Sequence, residues 1–257
     1  MRAERPTSVR ENQGSRAVAA SAKVAELEMI LSAVENLVPT PDLARRVFGD
    51  HVSRAEEFAT FLADRGVVRG VIGPREIDRL WDRHLLNSAV LSERIPDGAR
   101  VIDVGSGGGF PGVPVAIVRP DVDMVLLEPM KRRIDWLYEV VDRLGLRNVT
   151  VVRGRAEERA VRDSVGTADV VTARALAPLG RLARWCLPLV RQDGSIFALK
   201  GESAAAEIER DAHEIRSAGG LDPVVLQCGS GVLERPTTVV RIRKGAPRAE
   251  RSRRKRA

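Results

Sequence analysis

Residues 101–112 read VIDVGSGGGFPG, a short apolar run that breaks into a glycine loop. The β-branched start reads as a buried strand ending near Val104. Gly105, Gly107, Gly108, Gly109 and Gly112 follow, and glycine lets a backbone turn tightly and approach a ligand closely. Gly107-x-Gly109-x-x-Gly112 has the spacing of a dinucleotide-binding fingerprint, a weak signal when it stands alone.

Outward from this loop the pattern repeats. Apolar stretches at 123–128, 148–153, 168–173, 194–200 and 237–243 read as further strands, and 224–228 reads as a seventh. Helical segments are expected at about 111–118, 131–144, 179–190 and 203–218. Alternating strands and helices predict an α/β, doubly wound, seven-stranded and mostly parallel sheet of Rossmann-like type. The last two strands have no helix between them, so a hairpin there would make the sheet mixed. Ligands of such sheets sit beyond the carboxyl ends of the strands. Before the loop, apolar spacing predicts helices over 43–63 and 75–91, with another over 23–38. The chain divides into a disordered start (1–22), N-terminal helices packed on the core (23–74), a main domain (75–243) and a basic, disordered tail (244–257).

Charge is unevenly placed. The net charge is +7, and the tail holds seven Lys/Arg and one Glu, a net +6 that leaves about +1 for residues 1–243. Such a tail suits an electrostatic arm for nucleic acid. No apolar run approaches the roughly 20 residues that span a bilayer, and no secretory leader is evident. Cys186 and Cys228 lie far apart, which argues against a disulfide framework or a cysteine zinc site and suits a reducing cytoplasm. A cytoplasmic monomer with no metal and no membrane contact is expected.

Asp103 lies two residues before the loop, where a carboxylate would repel a pyrophosphate and favour a cationic ligand. S-adenosylmethionine (SAM) is such a ligand, carrying an ammonium, a sulfonium and one carboxylate. Glu128, closing the second strand, suits ribose hydroxyls, although NAD domains share that acid. Ala156 and Glu157, after the third strand, are placed to read an adenine edge. Arg174 and Lys200 end the fourth and fifth strands as rim cations for a carboxylate, an RNA phosphate or an acceptor carbonyl. Arg83 and His84 lie on a helix that could reach the same rim. Trp81, Trp136 and Trp185 read as core residues.

Absences narrow the chemistry. No Asn/Asp-Pro-Pro-aromatic box follows the fourth strand, and no cysteine ends the fourth or fifth, so a covalent cysteine adduct is not expected. Methyl transfer to an already nucleophilic atom remains, and guanine N7 is one such atom. A methyltransferase of a small molecule or protein, and a non-catalytic RNA-binding assembly factor, stay open at this point.

Seven stretches carry a resemblance: DRHLLNS (82–88), VIDVGSGGGFPGVPVAI (101–117), LLEPMKRRIDWL (126–137), NVTVVRGRAEE (148–158), DVVTARALAPL (169–179), FALKGES (197–203) and RPTTVVRIR (235–243). Across about residues 40–243 the sequence resembles the bacterial ribosomal RNA small-subunit methyltransferase G family, also called glucose-inhibited division protein B. The resemblance implies a class I SAM-dependent methyltransferase that methylates N7 of guanosine 527 in the 530 loop of 16S rRNA, on naked RNA or the 30S subunit. It implies cofactor contacts at Asp103, Gly105, Gly107, Gly108, Phe110, Glu128, Ala156, Glu157 and Arg174. It implies catalytic roles for Arg174, Lys200 and His84, and RNA contacts at Arg83, His84, Lys200 and Arg235. Many relatives carry an Asn where this chain reads Arg69-Gly70-Val71-Ile72-Gly73.

Overall fold

The computed structural model describes residues 40–245. The expected disordered start, the helix expected over 23–38 and the tail beyond Gly245 lie outside them. Seven strands form one sheet: β1 (Arg100–Val104), β2 (Asp123–Glu128), β3 (Val149–Arg153), β4 (Ala168–Arg174), β5 (Val190–Leu199), β6 (Gly220–Cys228) and β7 (Thr237–Lys244). Their order is β3-β2-β1-β4-β5-β7-β6. The first five run parallel, and β7 pairs antiparallel with both β5 and β6. This is the doubly wound arrangement expected, with the terminal hairpin making it mixed. The strand order reverses between β1 and β4, and a crevice opens beyond their carboxyl ends.

Three differences from expectation have local causes. Strand β5 starts at Val190, four residues early, so Gly194 falls inside it against the Asp169 backbone. A short helix, Arg159–Val165, joins β3 to β4 and was not expected; it buries only Val165, which leaves almost no apolar period to detect. Lys244, assigned to the tail, instead ends β7 and donates from Nζ to the Leu187 carbonyl.

Helices cover both faces. One face carries α1 (Asp42–Phe48), α2 (Val52–Phe61), α3 (Gly112–Val118) and α4 (Lys131–Arg143), together with the helical segment 74–94. The other carries α5 (Arg159–Val165), α6 (Leu179–Cys186) and α7 (Ala204–Ser217). Strands β1 and β2 are buried on both sides, which explains their unbroken apolar runs. Helix α4 buries Ile134, Trp136, Leu137 and Val140 along one stripe. Trp136 has no solvent exposure and stacks on Phe61 of α2 at 4.7 Å, so the N-terminal helices share the main core. The Trp136 indole also donates to the Gly108 carbonyl at 3.2 Å, tying α4 to the glycine loop.

The segment 74–94 opens with Pro74 at the first turn of a tight helix, Pro74–Arg79. It widens to a π turn at Leu80–Leu86, which buries Leu80, Trp81, Leu85 and Leu86 and carries Arg83 and His84 on its other side.

Gly112 starts α3 against Asp103 of β1 and Leu126 of β2, which pair in the sheet. A methyl group there would collide with Leu126 and stand 2.9 Å from the Asp103 Oδ2. Gly201, after β5, has nothing within 4 Å of the same position. Gly112→Ala is expected to lower unfolding free energy by about 1–3 kcal/mol, the usual cost of overpacking. Gly201→Ala should change it by less than about 0.5 kcal/mol, within the ordinary range for surface changes. Urea denaturation of both variants checks this, and equal losses would contradict it.

Candidate functional site

The crevice has two connected lobes. The first is a slot of about 230 Å³ with apolar walls from Val104, Leu127, Pro129, Leu176 and Trp185. The second is a larger recess of about 640 Å³ between the glycine loop and the segment 74–94. Gly105, Pro129, Arg155 and Leu176 border both. Trp81 and Trp136 are core residues as expected, whereas Trp185 is half-buried and faces the slot.

Asp103 does not reach either lobe. It has no solvent exposure. Its Oδ1 accepts the Thr172 hydroxyl at 2.8 Å, and its Oδ2 accepts the Gly112 N–H at 3.2 Å. The expectation that this carboxylate meets a cationic ligand directly is therefore corrected: both oxygens bind the scaffold. Its discrimination against a pyrophosphate survives in another form. The first N–H of α3, a position where dinucleotide sites bind phosphate, is already taken by a negative group. Burial raises Asp103 to about pH 6, while the bonds from Thr172, Ser106 and Gly112 pull the other way.

Glu128 is 1% exposed and borders the recess. Its Oε2 accepts the Gly107 N–H and its Oε1 the Met130 N–H, both at 3.0 Å. Gly107 sits at φ +56°, a conformation that favours glycine, and this turns its amide toward Glu128. Each carboxylate oxygen keeps a further lone pair for a hydroxyl. Gly105, Gly107 and Gly108 line the recess with backbone, and Phe110 supplies its apolar wall. Ala156 is buried and Glu157 exposed at the slot, and no backbone hydrogen bond among the described residues uses their N–H groups.

His84 and Arg174, each expected at the rim, meet there together with Glu76, which the sequence did not single out. Glu76 Oε2 lies 2.7 Å from His84 Nε2, and Glu76 Oε1 takes an N–H from Arg83 at 3.3 Å. On the other side of the ring, His84 Nδ1 lies 3.1 Å from Arg174 Nη2. Arg174 also reaches the Ser88 hydroxyl at 3.4 Å and lies over the Phe110 ring, 5.5 Å from its centre. Burial, then Arg174, holds His84 below its ordinary value. Both ring nitrogens are engaged, so His84 has none free to serve as a base. Burial and then Arg83 also lower Arg174, which remains a cation.

Lys200 directly follows β5. Its ammonium binds Glu207 Oε2 at 2.7 Å and the Ala177 carbonyl at 2.9 Å, outside both lobes. Glu207 also accepts the Leu179 N–H at 3.2 Å. Lys200 thus props the turn between β4 and α6 through these two contacts. Arg235 is exposed, has no partner among the described residues and borders neither lobe. Arg83 is half-exposed on the recess rim. Arg133 was also missed. It borders the recess with a buried Nε that has no partner, and its Nη1 stands 3.8 Å from Glu128.

The residues fit SAM. The apolar slot and the open Ala156 and Glu157 amides suit adenine. Glu128 suits ribose hydroxyls, and Arg174 and the orphaned Arg133 Nε offer donors to a carboxylate or hydroxyl. Among the described residues no cluster of three metal-ligating side chains occurs, and no helix is long and apolar enough to cross a membrane.

The raised Asp103 value has a stability consequence of definite sign. A carboxyl group that holds its proton more tightly when folded contributes stability below its unfolded value near 3.8, and loses it as pH rises through about 6. Asp103→Asn lacks this titration. The unfolding free energy of wild type minus that of the variant should fall between about pH 4 and 6 and level off above. Denaturant curves across that interval test it, and a flat difference would refute the assignment.

The chain matches the family described as GidB, rRNA small subunit methyltransferase G, over residues 51–235. It is 54% identical over 205 residues to the ribosomal RNA small subunit methyltransferase G of Corynebacterium efficiens, covering 80% of this chain and 88% of that one. It is 51% identical over 216 residues to the protein of the same description from Mycobacterium sp. (strain KMS), covering 84% and 96%. Among solved structures, Aeropyrum pernix fibrillarin with natively bound SAM aligns with a TM-score of 0.48 and 18% identity, covering 62% of this chain and 74% of that one. By sequence, the chain belongs to the ribosomal RNA small subunit methyltransferase G family.

Proposed function

We propose that this chain methylates N7 of guanosine 527, in the 530 loop of 16S rRNA, from SAM held across the crevice. Family membership carries the substrate class. The chemistry is supported by the engagement of every acid–base candidate bordering the recess. His84 is bonded at both nitrogens, and Glu76 and Glu128 accept N–H donors. Guanine N7 has a lone pair and no proton, so its attack needs positioning and no base.

SAM, when bound, supplies an electrophilic methyl group on its sulfonium. The chain's own residues orient the reactants. The slot between Leu127, Leu176 and Trp185 takes the adenine, and Glu128 takes ribose hydroxyls. Arg174 holds its N–H groups at the recess, where a carboxylate or the acceptor base can use them. Arg83 and Arg235 stand exposed for phosphate contact, while Lys200 acts through the turn that it props. The reading places the enzyme in the cytoplasm, consistent with two buried free thiols. It also takes the enzyme as a monomer.

The test is incubation of the purified chain with methyl-labelled SAM and either 16S rRNA or 30S subunits from a strain lacking this methylation. Label should map to the 530 loop as N7-methylguanosine. Arg174→Ala should lower kcat/KM by about 100-fold, as expected when a positioned cation is lost. Absence of label in the 530 loop with both substrates would overturn the reading.

A further inference from the structure

Glu76 lies outside the motifs that point to the family, on a turn that the sequence presents only as helix. Yet its carboxylate ends a chain of contacts that reaches the recess. The chain runs from Glu76 Oε2 to His84 Nε2 at 2.7 Å, then from His84 Nδ1 to Arg174 Nη2 at 3.1 Å. A guanidinium has N–H donors and no acceptor. His84 Nδ1 must therefore accept, and the ring proton must sit on Nε2, facing Glu76. The other tautomer would set two N–H groups against each other at Nδ1 and two acceptors against each other at Nε2.

We propose that Glu76 is a positioning residue for methyl transfer: by accepting the Nε2–H it holds His84 in the one tautomer that accepts from Arg174, and so aims the guanidinium into the recess. This rests on the activity proposed above and names a residue that acts through two others. The arrangement is constrained on every side. The Phe110 ring packs 5.1 Å from the His84 ring and 5.5 Å from the Arg174 guanidinium carbon, so neither group can swing without losing that wall. The Ser88 hydroxyl holds the second guanidinium nitrogen. The charged groups acting on the chain are Arg79 and Arg83 at Glu76, Arg83 at His84, and Arg83 and Asp103 at Arg174. Arg83 shares Glu76, which leaves that carboxylate one oxygen for His84. Glu76 lies on the Pro74–Arg79 turn and His84 on the adjoining π turn. The segment 74–94 thereby sets a side chain that belongs to β4.

Two variants of Glu76 and two readouts test this. The first readout is the imidazole nitrogen spectrum of the full chain at pH 7.5, with His84 assigned by its loss in His84→Asn. In the wild type, His84 should show one protonated and one lone-pair nitrogen. In Glu76→Ala the two signals should move toward each other as both tautomers populate. In Glu76→Gln the amide oxygen still accepts, and the wild-type pattern should be largely kept. The second readout is single-turnover methylation at saturating rRNA alongside calorimetric SAM affinity. Glu76→Ala should lose about tenfold in rate while SAM affinity stays within about twofold, and Glu76→Gln should recover most of the rate. An unchanged nitrogen spectrum in Glu76→Ala would overturn the proposal, as would a rate loss matched by an equal loss of SAM affinity. The spectrum is read without RNA. A wild-type chain that leaves rRNA unmethylated therefore defeats the activity reading separately from the tautomer.

Discussion

A carboxylate with no access to water joins the three pieces of chain that meet at the crevice. Asp103 leaves β1, receives the Thr172 hydroxyl from β4 and receives the first N–H of α3. A buried charge is tolerated only when such donors replace water. The donors must therefore stay in place, and with them the reversal of strand order between β1 and β4. Ser106 closes the loop from inside by donating to the Asp103 carbonyl at 2.9 Å. The crevice is where it is because this cluster cannot come apart without stranding a charge.

The second constraint comes from outside the sheet. The segment 74–94 packs on the same core as α3 and α4, and Phe61 of α2 stacks on Trp136, whose indole holds the glycine loop. The segment 74–94 is thus part of the site. It supplies Glu76 and His84, while the sheet supplies Arg174 and Glu128. A doubly wound sheet offers a nucleotide-sized crevice to many chemistries. Here the wall opposite the sheet brings a neutral, fully engaged imidazole against a cation, which suits a nucleophile that needs no deprotonation.

Legibility from sequence followed local signal strength. The seven strands and the glycine loop could be read because β-branched runs between glycines have few competing interpretations. The helix Arg159–Val165 could not, since RAVRDSV buries one residue and carries two arginines and an aspartate. Arg174, Glu128 and His84 were correctly placed at the crevice, each at a strand end or in a distinctive motif. Asp103 and Lys200 were correctly placed at strand ends, but their roles depended on partners 69 and 7 residues away, Thr172 and Glu207. Glu76 carried no signal, because an acid in a helical turn is ordinarily a solvated charge.

The sequence by itself determined the α/β order, the position of the crevice and the residue types at its rim, because periodicity and glycine placement act over a few neighbouring residues. Tertiary structure alone decided which of those side chains face the crevice and which are spent in its walls. It turned Asp103 and Lys200 inward, left Arg235 apart, and brought Glu76 to His84 and Arg174. The physical reason is that a polar group's role is set by the donors and acceptors that folding carries to it, and those come from other elements, some close in sequence and some far.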